Sequence, residues 1–330
     1  MNKKIQVFAF LLFLKITAFA ASDADTSWHH WGGILVNFNQ STFYQWAPGG
    51  QSNLAFNTAF NYTTKFEKGK NLWRTDFLGS YGTVRNFDIG ATGLTDNFWR
   101  KSDDVFQINS KYSRKSSEKW FYSGNMNFIS QFDKGYAAPD FTPANYKSNI
   151  LAPAFITAAL GFTYKPNKSF EAFVSPATGK LTIVNDQMLA DLGVGGVKKA
   201  YIDENGKAIS GEKTRFEFGA SAVIQYNKPN IIKNVDLKTM LQLFNNYTDE
   251  NKDNRKNVDI TWNWNIIMKI NKYLAASIIG QLVYDDNILV PKKVDISRDT
   301  KTGLLDYKYT YGKGIQLKNV LGIGFSYKLK

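Results

Sequence analysis

Apolar and polar residues alternate with a period of two along most of this chain, and each apolar face is free of charge along its length. Leu54, Phe56, Thr58, Phe60 and Tyr62 alternate with Asn53, Ala55, Asn57, Ala59, Asn61 and Thr63. The same grammar returns in Val258, Ile260, Trp262, Trp264, Ile266 and Met268 against Asp259, Thr261, Asn263 and Asn265. Successive strand residues point to opposite faces, so the pattern predicts sheet with one greasy side and one wet side. Twelve such strands are expected, over residues 33–40, 53–64, 73–84, 105–114, 120–131, 154–164, 170–175, 215–226, 235–244, 258–269, 274–284 and 315–329. Most are close to the ~9 to 11 residues that cross a membrane obliquely and exceed the ~5 to 6 of ordinary strands.

The connections alternate between short and long. Short turns are expected at 67–71, 115–119, 165–169, 227–234 and 270–273. Long ones fall at 85–104, 132–153, 176–214, 245–257 and 285–314, and the first hairpin loop, 41–52, is of middling length. An even strand count with short turns at one end and long loops at the other predicts a transmembrane antiparallel up-and-down β-barrel, with both termini on the short-turn, periplasmic side.

The two faces assign the solvent on each side. Phe77, Tyr81, Phe216, Phe218, Ile224, Leu237, Leu241, Leu243, Ile278 and Leu282 extend the apolar face. The charges fall on the other, at Arg74, Asp76, Lys111, Glu171, Glu217, Asp236, Lys238, Asp259 and Lys318. A soluble barrel would coat its outer face with alternating Lys and Glu. Here the charged face is mostly Asn, Gln, Ser, Thr, Gly and Ala, which suits a hydrated interior, and these nine residues are expected to line it.

The first 20 residues set the compartment. Lys3 and Lys4 precede an apolar run from Ile5 to Leu14, and Ala18-Phe19-Ala20 supplies small residues before a polar segment, the pattern of a cleaved export signal. Residues 21–32 are then expected to form a periplasmic amino-terminal segment and 33–330 the barrel. No later stretch approaches the ~18 consecutive apolar residues of a spanning helix. At the other end, Phe325, Tyr327 and Leu329 stand on the apolar face of the last strand. A closing amphipathic strand of this kind is what the barrel-assembly machinery of Gram-negative bacteria reads.

Composition narrows the chemistry. Aromatic residues make up 15% of the chain at a mean hydropathy of −0.33, as expected when aromatic belts share a molecule with a polar lumen. The absence of cysteine excludes disulfides, thiolate metal sites and a lipidated cysteine anchor. The formal charge of +13 suits anionic lipid, lipopolysaccharide or anionic solutes, and no nucleic-acid-binding motif accompanies it.

Two passages carry a resemblance. They are Phe38-Asn39-Gln40 with Trp46-Ala47-Pro48-Gly49-Gly50, and Ser175-Pro176-Ala177-Thr178-Gly179-Lys180-Leu181-Thr182-Ile183-Val184-Asn185-Asp186, continuing through Leu189-Ala190-Asp191 to Gly195-Gly196-Val197. With the strand layout, they resemble an uncharacterised outer-membrane barrel family of Bacteroidota, a domain of unknown function, over about residues 28–330. The resemblance implies fold and location and no activity.

Catalytic and metal-binding constellations are sparse. Outer-membrane phospholipases use Ser, His and Asn within hydrogen-bond reach, but the two histidines, His29 and His30, sit beside Trp28 and Trp31 at the amino-terminal edge and read as an interfacial pair. Outer-membrane proteases use carboxylates, which singles out Asp285-Asp286. Asp249, Asn251 and Asp253 begin a calcium-loop pattern that Arg255 and a missing sixth-position Gly interrupt. Asp203-Glu204-Asn205-Gly206 predicts a tight hairpin. No cofactor and no catalytic or metal site is assigned.

In the connection 176–214, Leu181, Ile183, Val184, Leu189 and Val197 are too apolar for a solvated loop, and they run with Asp186, Asp191 and bend-permitting glycines. The segment is expected to act as a lid over neighbouring loops or a plug in the barrel mouth, with a surface for a protein partner as a further reading. Two functions follow: a narrow or loop-gated pore for small polar solutes, or a closed accessory barrel acting with a protein partner in envelope assembly or secretion. An outer-membrane hydrolase is the minor alternative, and the chain is expected not to be an enzyme.

Overall fold

The computed structural model describes residues 27–41, 52–87, 99–136, 146–271, 274–298 and 305–329. The expected export signal, Trp46 to Gly50 and Lys330 lie outside the described residues, as do the side chains of Phe325, Tyr327 and Leu329.

Twelve strands close into one antiparallel barrel. In ring order they are β1 (Trp28–Ser41), β2 (Ser52–Lys68), β3 (Asn71–Phe87), β4 (Arg100–Lys115), β5 (Trp120–Ser130), β8 (Ala154–Tyr164), β9 (Phe170–Ile183), β12 (Thr214–Ile232), β13 (Val235–Asn246), β14 (Asp259–Lys269), β15 (Leu274–Tyr284) and β18 (Gln316–Leu329). Each pairs with its sequence neighbour in the ring, and β18 returns to β1. Among the described residues, the long loops carry small hairpins: β6 (Gly135–Tyr136) with β7 (Tyr146–Ser148), β10 (Tyr201–Ile202) with β11 (Ala208–Ile209), and β16 (Leu289–Arg298) with β17 (Leu305–Lys313). The predicted Asn-Gly turn joins β10 to β11, with Gly206 at φ 78° and Asp203 accepting from the Asn205 and Lys207 amides at 3.0 and 2.8 Å. No helix of the described residues is long and apolar enough to cross a membrane.

Several expected boundaries move. β1 begins at Trp28, so Trp28 to Gly32 belong to the barrel wall and not to a separate amino-terminal segment. β4 begins at Arg100 and β12 extends to Ile232, well past the expected ends. The largest correction is β9, which continues through Pro176 to Ile183 where a loop was expected. A proline interrupts a ladder and is tolerated at a bulge; here the register of β9 shifts against both β8 and β12 around Ser175 to Thr178. The Ser175 hydroxyl meets the bulge's needs, donating to the Leu160 and Ala177 carbonyls at 2.7 and 2.9 Å. Gly161 permits the close approach, since a Cβ there would stand 2.0 Å from the Val174 carbonyl oxygen.

The faces divide as the alternation dictates. On β12, Phe216 is 67% exposed on the outside whereas Glu217, the next residue, is 2% exposed and faces inward. Leu160, Phe162, Met126, Trp262, Leu317 and Leu321 are likewise exposed on the outer surface. Aromatic side chains gather towards both rims. At the short-turn end, Trp28 packs on Phe66 and Trp73, and Trp120 on Tyr164. At the long-loop end, Phe56 packs between Phe38 and Trp99, and Phe106 on Phe132.

Candidate functional site: the lumen and its outer cap

The inward face of the strands brings oppositely charged residues together. Arg74 and Asp76 on β3 form a bidentate pair, Nε to Oδ2 2.9 Å and Nη2 to Oδ1 2.8 Å, with the Thr63 hydroxyl donating to Asp76 at 2.6 Å. The Arg74 guanidinium also stands 5.7 Å from the Trp31 ring centroid. Asp236 pairs with Lys269 at 2.6 Å near the short-turn end. Lys238 follows Asp236 on the same inward face of β13.

Among the described residues, three ion pairs join strands that are not neighbours in the ring. Lys111 on β4 reaches Glu171 on β9 past the intervening β5 and β8, and Lys165 approaches the same carboxylate at 3.3 Å. Lys318 on β18 reaches Asp103 on β4, with β1, β2 and β3 between them. Ser80 and Asn57 also donate to Asp103, at 2.8 and 3.3 Å. Lys180 on β9 stands 3.9 Å from Asp259 on β14, past β12 and β13, and 3.3 Å from Glu217. Glu217 is further held by Arg215 at 2.9 Å and by the Asn246 side-chain amide at 3.1 Å. A buried carboxylate is tolerated only with such compensation.

All nine charged residues expected in the lumen therefore lie on inward faces. Asp103, Lys180 and Arg215 complete their pairs and were missed because the first two were assigned to loops. The signal was present in the sequence: Asp103, Val105, Gln107, Asn109 and Lys111 alternate with Phe106, Ile108 and Ser110. Leu78, on the inward face of β3, is 40% exposed, so open space remains inside the barrel at its height.

The connection after β9 forms a cap. Val184, Leu189, Ala190 and Val197 bury themselves with Ala152 of the β7–β8 connection, and Tyr146 and Val194 pack against the group. Asp186 caps the short helix α1 (Gln187–Asp191) by accepting from the Leu189 amide at 3.3 Å. It also accepts from the Tyr146 hydroxyl at 2.7 Å and from Asn149 at 3.1 Å. Burial opposes ionisation of Asp186, but these hydrogen bonds outweigh it and hold the carboxyl below the usual range. Asp191 accepts from Gln187 and from the Gly211 amide, both at 2.7 Å, and is lowered by the same two bonds. Leu181 and Ile183 are not cap residues: both belong to β9, where Leu181 stands opposite Phe216 on the outward face. The cap meets inward-facing residues of the wall at Gly195 and Gly196. The Arg215 guanidinium donates to the Gly196 carbonyl at 3.2 Å, and a Cβ on Gly195 would lie 3.0 Å from Thr182 Cγ2. Both Thr182 and Arg215 face inward.

The remaining candidates sit at the rims. On the outer face of β1, the His30 ring stacks with Trp28 and Tyr62. Asp286 is buried and takes Lys313, Asn257 and the Tyr284 hydroxyl, the last at 3.1 Å. Asp249 and Asn251 form successive loop turns, each accepting from the amide two residues on, at 2.8 and 3.1 Å. Among the described residues, no group of three or more His, Asp or Glu side chains is placed to hold a metal ion.

A family described as "Protein of unknown function (DUF3078)" matches residues 38–136. No curated protein matches the chain. Among solved structures, the translocator domain of the autotransporter NalP from Neisseria meningitidis is similar at 8% identity and a TM-score of 0.35, covering 98% of this chain and 96% of that one. The COG4313 outer membrane channel from Pseudomonas putida F1 is similar at 7% identity and a TM-score of 0.37, covering 93% and 100%. The β domain of the Bordetella autotransporter BrkA is similar at 8% identity and a TM-score of 0.29, covering 91% and 99%.

Proposed function

We propose that this chain is an outer-membrane barrel of a Gram-negative bacterium, with its long loops outside and both termini periplasmic, that conducts small polar solutes through a narrow, ion-pair-bridged lumen. Location rests on the exposed apolar wall between two aromatic belts, a surface that suits lipid and that water-soluble proteins rarely expose. The Bacteroidota source, engagement of the barrel-assembly machinery, contact with lipopolysaccharide and a non-enzymatic role belong to the same reading.

The observation that carries the conduit is the set of pairs Lys111–Glu171, Lys180–Asp259 and Lys318–Asp103 between non-neighbouring strands. Such bridges divide the lumen into small polar passages, which admit small hydrated solutes and exclude bulky ones. The space beside Leu78 supports a passage over a solid core. Removing a bridge enlarges the passage, so Asp103→Asn/Lys318→Gln refolded into planar lipid bilayers will give a larger unit conductance than the parent. If parent and variant are both silent, the conduit is wrong.

One observation favours a closed accessory barrel instead. The cap buries Val184, Leu189 and Ala190 completely, as a permanent seal would.

A further inference from the structure

The two ends of the barrel differ in charge. At the long-loop end lysines stand against carboxylates, Lys101 with Asp104, Lys198 with Glu250 and Lys313 with Asp286. At the short-turn end one sign prevails. The β2–β3 turn presents Lys68 and Lys70, the β4–β5 turn Arg114, Lys115 and Lys119, and the β8–β9 turn Lys168, all exposed. The acidic residues of these turns are Glu118 and Glu67, and Lys65 holds Glu67. Solvation of a turn is served by charge of either sign, so a one-signed rim points to an anionic partner. The turns are also tied side by side, the Lys115 amide to the Lys70 carbonyl at 2.7 Å and the Lys165 amide to the Lys119 carbonyl at 2.8 Å. Their charges therefore stay at the edge of the wall, beside the aromatic belt.

One of these cations stands on the outer face. Arg114 is opposite Asn71 of β3 and Tyr122 of β5, and cross-strand partners share a face. Tyr112 and Tyr122, on that face, are exposed. The Tyr112 hydroxyl donates to Asn71 at 2.8 Å and the Trp73 indole to Ser110 at 2.9 Å, which fixes the rings around Arg114. Further into the membrane the wall has a notch. Gly124 lies between Tyr112 of β4 and Leu160 of β8, about 7 Å from Arg114 along the strands. The atom nearest to a Cβ there would be Leu160 Cδ2, at 3.2 Å, and Met126 and Leu160 are exposed beside it.

We propose that this corner of the barrel binds an anionic phospholipid of the periplasmic leaflet. The Arg114 guanidinium takes the phosphate through its fork of N–H donors, and Lys70, Lys115 and Lys119 raise the positive potential around it. An acyl chain lies in the notch over Gly124, against Tyr112 and Leu160. The proposal rests on the membrane location and orientation given above and is independent of ion conduction.

Competitive lipid retention tests it. The full-length barrel, refolded in detergent, is given equimolar dioleoyl-phosphatidylglycerol and dioleoyl-phosphatidylcholine, and the lipid that stays bound is read by native mass spectrometry. The parent retains several-fold more phosphatidylglycerol. Arg114→Gln with Lys70→Gln and Lys119→Gln abolishes that preference, whereas Lys198→Gln with Lys199→Gln and Lys207→Gln at the long-loop end leaves it intact. Gly124→Leu, which fills the notch, lowers retention of both lipids. Equal retention by the parent overturns the proposal, and so does a preference that outlives the rim substitutions or falls equally with the long-loop ones. A parent without lipid preference that binds sonicated peptidoglycan through the same rim lysines overturns it too, and makes the rim a cell-wall contact. Flotation with neutral phosphatidylcholine liposomes separates the site from the location it rests on: a chain that fails to float refutes the location, and one that floats without preferring phosphatidylglycerol refutes the site alone.

Discussion

Leu241 and Gln242 are adjacent in β13 and face different solvents. Leu241 stands opposite Ile224 and Trp262 on the outer wall, whereas Gln242 stands opposite Val223 and Thr261 on the inner one. Arginine at position 241 would carry its charge into hydrocarbon, at about 2–4 kcal/mol near the midplane, while arginine at 242 enters a hydrated and already charged lumen. Leu241→Arg will lose most of its heat-resistant folded band on a gel, and Gln242→Arg will keep it. The same one-residue resolution explains why the lumen charges were legible. Arg74, Lys111, Glu217 and Asp259 each fall in a clear alternation, so the parity of the strand fixed their direction. Their partners were not legible, because pairing across the ring depends on closure, and no local pattern encodes which strands face each other.

At the scale of elements, the strands with uninterrupted alternation were readable from that pattern alone, and those with irregularities were not. β9 was cut short at Ser175 because Pro176 and Gly179 are strand breakers by local rule. The wall accepts them through a bulge that Ser175 stabilises and that Gly161 makes room for. The correction alters how the cap should be tested. A deletion beginning at Thr178 would remove barrel wall, and Lys180 with it. The cap proper lies between Val184 and Glu212, and the Val184 amide already bonds the Lys213 carbonyl at 2.7 Å, so the ends can be joined by a short Gly/Ser linker. Excising residues 185–211 will raise conductance while leaving the folded band intact. Unchanged conductance would mean that the cap covers no route into the lumen.

For the whole molecule, the alternation of short turns with long loops was enough to foresee a barrel with an even strand count, and the closed ring has twelve strands. What the pattern could not convey is which segments close the ring, since β1 and β18 lie at opposite ends of the chain and share no local signal. Every other barrel pairing joins strands consecutive in the ring and linked by a single connection. Bringing two distant segments together costs loop-closure entropy that local hairpins do not. The seam is therefore the last junction to form on insertion and the first to part on heating. Hydrogen exchange at Ile34 and Val36 should outpace that at Leu241 and Leu243 as temperature rises, and the barrel should come apart as an opening ribbon whose hairpins outlive the ring.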